Sequence, residues 1–384
     1  MTAANPTTIW LEQARGLAPL VAQHRDEGER DRRLPAPIFA AARAAGFLRM
    51  LAPRTLGGEQ VALEDALAVS EELGRQDGSV GWNLTFAFLS QLFGDYMAEP
   101  VARAIFGRHD AVVAGNFTPR GRARRVAGGY RLSGRWSFMS GCQDATWIVV
   151  AGLVFEGDEP LRGPDGAPTP QLFLFPAAAG TIIDTWRTTG MRGTGSHDYA
   201  VADVLVPEAQ SFPFQAFFRG PPPRPGLGYR RPFLEIGPLF LAAVGLGVAR
   251  DAVESFTTLA ATKTPAGTTT PLAQQPTGHE RLGRAEALLR AARGYLYATA
   301  RAVGSAPHGT PPMIVPVRLA AAHAAQSAND AVNLLYQAAG GTSIYESSRL
   351  ERCFRDINTL THHFQLAPGA FVAAGEWLLN QGAA

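Results

Sequence analysis

The spacing of hydrophobic residues changes twice along the 384-residue chain, and this change limits the folds that the chain can adopt. Up to about residue 111, apolar residues recur every three to four positions, as in an amphipathic helix. Short apolar runs with partial alternation, typical of β-strands, then follow, and later the helical period returns. We therefore predict an α+β fold with an N-terminal helical domain at 1–111, a central antiparallel β domain at 112–211 and a C-terminal four-helix bundle at 212–384.

Local signals support individual elements in each part. Residues 62–73 and 81–97 each carry an apolar stripe at helical spacing. The Gly128-Gly129 pair between two short strand-like runs is typical of a tight β-hairpin. The predicted helices of the bundle are residues 239–261, 280–303 and 316–338, followed by a helical piece at 350–379 that is interrupted at Pro368.

Composition argues against several classes of function. The 35 basic and 33 acidic side chains nearly cancel, so no strong field favours nucleic acid or an anionic membrane as a partner. Cys142 and Cys353 lie far apart without metal-ligand spacing, so we predict neither a disulfide scaffold nor a metal site. The N-terminus has no signal-peptide pattern, and no uninterrupted apolar run is long enough to span a bilayer. We expect a cytoplasmic protein that acts on a small molecule.

Four segments carry a resemblance to a known family. They are residues 115–119 (Gly-Asn-Phe-Thr-Pro), 132–147, 190–198 (Gly-Met-Arg-Gly-Thr-Gly-Ser-His-Asp) and 347–363, which contains Arg355-Asp356. In this order and at these separations they resemble the acyl-CoA dehydrogenase superfamily, in particular its two-component flavin monooxygenases. That branch includes the oxygenase components that act on 4-hydroxyphenylacetate, secosteroid phenols and dibenzothiophene. The resemblance spans nearly the whole chain.

The resemblance implies a reaction and its partners. In this branch a separate NAD(P)H-dependent reductase supplies reduced flavin, usually FMN and alternatively FAD. The oxygenase forms a C4a-hydroperoxyflavin and transfers one oxygen atom to a small, typically phenolic substrate. Some relatives oxidise nitrogen or sulfur instead of carbon, and the sequence leaves this choice open. A homotetramer, or alternatively a homodimer, is the implied assembly.

The residue that acts on the substrate distinguishes two hypotheses. Dehydrogenases use a glutamate after the Arg-Asp pair, whereas the matching stretch here offers His362 and His363 without a carboxylate. The resemblance assigns His363 as the catalytic residue, and an imidazole with an ordinary pKa of roughly 6.5 can accept a phenolic proton. A dehydrogenase with tightly bound FAD and Glu235 as base is the first alternative. A flavin-fold protein without catalytic activity is the second.

The resemblance also implies which residues contact the flavin. Ser140 would meet the flavin N5 and share the catalytic role, and Asn116 and Thr118 would bond the pyrimidine edge of the ring. The remaining implied contacts are Phe138 and Trp186 beside the ring, Ser196 in the glycine-rich loop and Lys263 at a phosphate. This loop lacks the order of glycines of a dinucleotide-binding fold.

Apolar stripes supply the candidates for a substrate pocket. Trp82, Phe86 and the aromatic cluster at 212–218 could form its walls, together with His363. Stripes at helical spacing are more often part of the core. Residues 212–232 are rich in proline, glycine and aromatic residues, which indicates a linker or a lid.

Overall fold

The computed structural model describes residues 6–220, 231–307 and 310–381, and within them six α-helices precede the sheet. These helices are α1 (Pro6–Gly16), α2 (Ala18–Asp31), α3 (Ala36–Ala44), α4 (Leu63–Gln76), α5 (Gly78–Leu89) and α6 (Glu99–Phe106). Asp77 caps α5, because its Oδ1 accepts hydrogen bonds from the Ser79 and Val80 N–H groups. The helix predicted at 81–97 therefore starts earlier, and its last part is a 3₁₀ segment, Ser90–Tyr96.

One eight-stranded sheet forms the middle of the described chain. Its strands are β1 (Val113–Val126), β2 (Gly129–Trp136), β3 (Trp147–Glu156), β4 (Glu159–Pro160), β5 (Pro170–Pro176), β6 (Thr181–Ile183), β7 (Asp198–Pro207) and β8 (Ser211–Pro213). Neighbouring strands follow the order β6-β7-β2-β1-β3-β5-β8, and β4 pairs with β3. The hairpin predicted at Gly128-Gly129 is confirmed, since Val126 pairs with Gly129 across the turn between β1 and β2.

The prediction of a purely antiparallel β domain is wrong, because β1 and β3 run parallel. β2 occupies one edge of β1, so the chain must place β3 on the other edge. The segment between β2 and β3 returns to the start of β1, where Thr146 Oγ1 accepts a hydrogen bond of 3.0 Å from the Val112 N–H. The alternation of apolar and polar residues along a strand indicates which face of the strand is buried. It does not indicate whether the neighbouring strand runs parallel or antiparallel. The domain is therefore a mixed sheet.

Six helices follow the sheet in the described residues. They are α7 (Phe214–Arg219), α8 (Gly237–Thr262), α9 (Pro276–Ser305), α10 (Ile314–Ala339), α11 (Arg349–Leu360) and α12 (Gly369–Gln381). Helix α8 lies in the middle of the bundle and packs against α4, α9, α10 and α11. The segment Phe233–Thr262 is long and apolar enough to cross a membrane, but 89% of its apolar window is buried inside the protein, as in a core helix.

Buried apolar residues form two clusters. The larger cluster runs through both helical parts, from Ala14 to Leu366. The second cluster consists mainly of side chains from the strands of the sheet, around Trp136. We keep the division at 1–111, 112–211 and 212–384 as a proposal. In the segment suggested as a linker or lid, residues 221–230 lie outside the described residues, whereas 214–219 form α7.

Helices α4 and α8 cross with their backbones in contact. A Cβ atom built on Gly247 would lie 2.1 Å from the Glu71 carbonyl oxygen and 2.6 Å from the Arg75 nitrogen. Only a residue without a side chain allows this approach. The crossing joins the N-terminal helices to the C-terminal bundle, which explains the shared core.

We predict that Gly247→Ala lowers the free energy of unfolding by at least about 1–3 kcal/mol, since overpacking forces the two helices apart. Gly283→Ala on α9 is the matched control, because no atom lies within 4 Å of the added Cβ. Because Gly283 is an exposed position within the helix, this control substitution should raise the free energy of unfolding by about 0.5–1 kcal/mol. Urea denaturation followed by circular dichroism measures both changes, and equal midpoints would contradict the packing argument.

Candidate functional site

Two loops meet at one end of the sheet and carry four of the candidate residues, which are Phe138, Ser140, Trp186 and Ser196. The first connects β2 to β3, and the second connects β6 to β7. The Met139 N–H donates to the His197 carbonyl at 3.0 Å, and the Gly141 N–H donates to the Thr194 carbonyl at 3.0 Å. These backbone hydrogen bonds hold the loops in register, so residues distant in sequence share one surface.

Ser140 and Ser196 are direct neighbours in this surface. Their hydroxyl oxygens lie 2.7 Å apart, and the Trp82 Nε1–H donates to Ser140 Oγ at 3.2 Å. Ser196 is buried, whereas Ser140 is half-buried. Trp82 was predicted only as a pocket wall, and the structure also gives it a polar contact with the predicted catalytic serine.

Asn116 and Thr118 lie at the bulged part of β1, where its register with β3 shifts. Asn116 Oδ1 accepts a hydrogen bond of 2.8 Å from the Thr118 N–H, and its Nδ2 donates to the Ser137 carbonyl at 2.9 Å. Ser137 belongs to the loop of Ser140. The amide of Asn116 therefore connects the first part of β1 to that loop, and the exposed Thr118 side chain remains at the surface.

Phe138 and Trp186 form an aromatic corner. Their ring centroids lie 6.0 Å apart with the planes at 79°. Phe138 is 66% exposed and has a φ of +60°, a backbone conformation that non-glycine residues rarely adopt. Such backbone conformations are concentrated at functional sites, and an exposed aromatic ring beside a half-buried one is a surface that a planar ligand can cover.

His197 positions Trp186, a role that the sequence did not reveal. Its Nδ1 accepts hydrogen bonds from two successive backbone N–H groups, Thr185 at 3.3 Å and Trp186 at 3.2 Å. Burial lowers the pKa of His197, which favours the neutral ring that these acceptor bonds require. Arg32 adds a second tie, since it pairs with Asp184 and donates to the Trp186 carbonyl. In the sequence, the one indication of a role for His197 was its position directly after Ser196, a predicted flavin contact.

His363 lies just beyond the end of α11, next to Trp82. The two ring centroids are 5.4 Å apart with the planes at 73°. The side chain is half-buried, and desolvation by the surrounding protein lowers the pKa of His363 to about 4. The adjacent His362 is exposed and bonds the Asn358 carbonyl. The structure thus brings His363, and not His362, to the group of Trp82 and Ser140.

A buried ionic network connects the elements that carry these residues. Arg352 of α11 pairs with Asp77 at 2.8 Å, and both side chains are buried. One turn further, Asp356 Oδ1 accepts a hydrogen bond of 2.6 Å from the Met191 N–H. Burial raises the pKa of Asp356 above its usual value, although Arg352 opposes this shift. The network joins the cap of α5, helix α11 and the start of the glycine-rich loop.

Two candidate residues lie apart from this group. The Lys263 ammonium donates to the Ala339 carbonyl and, at 2.7 Å, to Thr342 Oγ1, so it binds the C-terminal end of α10. Its contact with a flavin phosphate stays a prediction. Glu235 is fully buried, with Oε2 2.6 Å from Arg231 Nε and Oε1 3.0 Å from the Met313 nitrogen. Both carboxylate oxygens are engaged, which disfavours a role as base.

The aromatic pocket candidates divide into two sets. Phe86 packs against Trp82 with centroids 5.2 Å apart and remains half-buried. Phe212 and Phe217, in contrast, are buried and belong to the main core, where Phe217 stacks on Phe93 and Phe233 at 4.8 Å. In the structure this cluster is packed core. Phe86 is thus the better candidate for a pocket wall.

Metal chemistry has no candidate site in the part of the chain that the structure describes. No group of three or more His, Cys, Asp or Glu side chains there is arranged to hold a metal ion. The site instead combines hydroxyl groups, an amide, a neutral imidazole and exposed aromatic surface. These groups suit an uncharged planar ligand held by hydrogen bonds.

Comparisons with known proteins agree with this geometry. The acyl-CoA dehydrogenase N-terminal domain matches residues 12–99, and the acyl-CoA dehydrogenase C-terminal domain matches residues 239–368. Indole-3-acetate monooxygenase of Pseudomonas putida is 31% identical over 91% of this chain and 88% of its own length. The oxygenase component of the FADH2-dependent resorcinol hydroxylase of a Rhizobium species is 29% identical over 91% of this chain and 89% of its own.

A solved structure extends the agreement to three dimensions. XiaF from a Streptomyces species, in complex with FADH2 and glycerol, is 26% identical and superposes with a TM-score of 0.91 over 97% of this chain and 96% of its own. The predicted fold family and enzyme class are therefore confirmed. The chain belongs to the acyl-CoA dehydrogenase superfamily, within its branch of flavin-dependent monooxygenases.

Proposed function

We propose that this chain is the oxygenase component of a two-component system that hydroxylates a small aromatic substrate, a phenol or an indole. The observation that carries this proposal is the contact of His363 with Trp82, whose indole N–H in turn bonds Ser140. The relatives are an indole-3-acetate monooxygenase and a resorcinol hydroxylase, and this supports the substrate class. A flavin reductase is the proposed partner.

Reduced FMN is the proposed cofactor, with reduced FAD as the alternative that the FADH2 complex of XiaF supports. The residues fit a flavin ring, because Phe138 and Trp186 offer aromatic surface and Ser140 offers a hydroxyl. When bound, the reduced flavin activates oxygen and supplies the oxygen atom that is transferred. Asn116 and Thr118 are the proposed contacts of its pyrimidine edge. Lys263 remains a proposed phosphate contact for a flavin shared between subunits.

His363 is the proposed contact of the substrate hydroxyl, through Nε2. The Gln365 N–H lies 3.4 Å from Nδ1, which favours the neutral tautomer with its proton on Nε2, and this proton is the proposed donor to the substrate oxygen. To accept the phenolic proton at Nε2, the neutral ring would have to carry its own proton on Nδ1. It would then lose the long hydrogen bond from the Gln365 N–H. Phe86 and Trp82 form the proposed apolar wall that keeps water away from the reacting atoms.

Assembly and location are proposed on separate grounds. Helix α12 exposes Val372 at 74%, Leu378 at 57% and Leu379 at 81%. An exposed apolar face of this kind supports association with further copies of the chain, and we propose a homotetramer, with a homodimer as the alternative. The two cysteines, Cys142 and Cys353, are free, which supports a reducing compartment, and we propose the cytoplasm.

We expect His363→Ala to lower the yield of hydroxylated product per reduced flavin at least about tenfold, because the substrate oxygen loses its partner. Released hydrogen peroxide should rise by the matching amount. The assay mixes anaerobic protein, reduced FMN and a phenol or indole with oxygen, and quantifies product and peroxide. His363→Gln is the matched variant, since it keeps an N–H donor without a base. An unchanged yield in His363→Ala would remove His363 from the mechanism.

The low pKa of His363 predicts its behaviour with pH. The folded pKa of about 4 lies below the ordinary value of roughly 6.5, so the unfolded chain binds more protons between these values. The contribution of this group to stability is therefore present above pH 6.5 and is lost as the pH falls toward 4. In NMR titrations of the flavin-free protein, the His363 ring signal, assigned with His363→Asn, should stay constant from pH 8 to pH 6. A midpoint near 6.5 would contradict the desolvated environment.

Light scattering after size-exclusion chromatography tests the assembly, which should have four, or alternatively two, times the mass of the chain. Val372→Asp should then dissociate the complex, because an exposed carboxylate would be buried at the interface. Glu280→Asp, on the exposed face of α9, is the control. A monomeric wild-type protein would contradict the proposal.

A further inference from the structure

A cleft lined by charged side chains lies between α1, α4, α8 and α9, and none of its residues belongs to the candidate flavin site. Its volume is about 410 Å³, within the range of roughly 300–1,000 Å³ that is usual for small-molecule sites. Leu11 and Ala68 give the cleft apolar surface, and three glutamates contribute to its lining. The remaining lining residues are four arginines, Arg15, Arg75, Arg250 and Arg293. Guanidinium groups beside apolar surface are suited to an organic anion.

Two of the arginines each have an acidic partner of their own. Arg250 Nη1 lies 2.7 Å from Glu286 Oε2, and Arg293 Nε lies 2.8 Å from Glu71 Oε1. Glu71 is held in turn by the Tyr297 hydroxyl, which donates to its Oε2 at 2.6 Å. These pairs keep both guanidinium groups in the wall of the cleft and compensate their charge, so neither one supplies a free positive charge.

Arg75 and Arg15 have surroundings of a different kind. Arg75 Nε and Nη2 lie 3.0 and 2.7 Å from the two carboxylate oxygens of Glu72, which is buried. The remaining nitrogen, Nη1, lies 2.9 Å from Glu254 Oε2, and the side chain of Glu254 is 49% exposed. Arg15 is exposed and has no hydrogen-bond or ion-pair partner among the residues that the structure describes. With Glu254 turned to the solvent, the cleft therefore carries one positive charge without a counterion.

We propose that this cleft is a second ligand site, which binds a small monocarboxylate with an apolar body. The ligand carboxylate takes the place of Glu254 beside Arg75, and Arg15 supplies the uncompensated positive charge. Glu254 is easily displaced, since an exposed ion pair contributes little to stability. One uncompensated charge matches a carboxylate better than a doubly charged phosphate, and Leu11 and Ala68 contact the apolar body. The site is independent of the proposed function, because it shares no residue with the flavin and substrate contacts.

Two substitutions should change the affinity for benzoate in opposite directions. Arg15→Gln removes the uncompensated positive charge and should weaken binding about two- to fivefold, the size of one exposed charge interaction. Glu254→Gln removes the competing carboxylate and should strengthen binding by a similar factor. A purely structural role of these two exposed side chains would not produce effects of opposite sign. Arg284→Gln is the matched control, because this exposed arginine of α9 lies outside the cleft and pairs with Glu280.

Isothermal titration calorimetry of the flavin-free protein measures these affinities, and circular dichroism checks the folding of each variant. Acetate lacks the apolar body and benzyl alcohol lacks the charge, so both should bind more weakly than benzoate, as should inorganic phosphate.

Several outcomes of this experiment would overturn the inference. They are the absence of saturable benzoate binding, an equal affinity for inorganic phosphate, and an effect of Arg284→Gln as large as that of Arg15→Gln. Benzoate can also enter the proposed substrate pocket, where Phe86 forms part of the wall. Binding that Phe86→Ala abolishes and that Arg15→Gln and Glu254→Gln leave unchanged would place benzoate in that pocket and would refute the second site.

Discussion

The buried ion pair between Arg352 and Asp77 is the interaction on which the site depends. Asp77 caps helix α5 with one oxygen and binds the guanidinium with the other, so the position of Trp82 is set by α11. One turn along α11, Asp356 holds the Met191 N–H and thereby the start of the glycine-rich loop. Removal of one partner of such a pair typically costs about 3–5 kcal/mol, because it leaves an unpaired charge in the interior. The packing of α5 against α11 therefore depends on this pair.

The hydrogen bonds between the β2–β3 and β6–β7 loops determine which side chains meet there. The bonds from the Met139 and Gly141 N–H groups hold Ser140 next to Ser196, whose hydroxyl oxygen lies 2.7 Å away. The same loops present Phe138 in a backbone conformation that the surrounding bonds maintain. The same pair of loops therefore positions both the serine hydroxyl groups and the exposed aromatic ring.

The two candidates for the residue that acts on the substrate, Glu235 and His363, differ in their surroundings. The Glu235 carboxyl pairs with Arg231 and accepts a hydrogen bond from the Met313 N–H at the start of α10, so both of its oxygens are engaged inside the protein. His363 is held neutral by desolvation. An apolar wall such as the proposed one keeps water away from reactive intermediates. An uncharged imidazole can still orient a hydroxyl group of the substrate.

The sequence by itself determined the order of helices and strands, the hairpin at Gly128-Gly129 and the family, because periodicity and short motifs depend on local chemistry. It also predicted Ser140 and Ser196 as flavin contacts, and the structure places these two serines side by side. Only the tertiary structure decided that β1 and β3 run parallel, that Lys263 binds the end of α10, and that His197 orients Trp186. Each of these depends on which group a distant segment supplies. A side chain shows in sequence what it can donate or accept, but its partner is set by how the helices and the sheet pack.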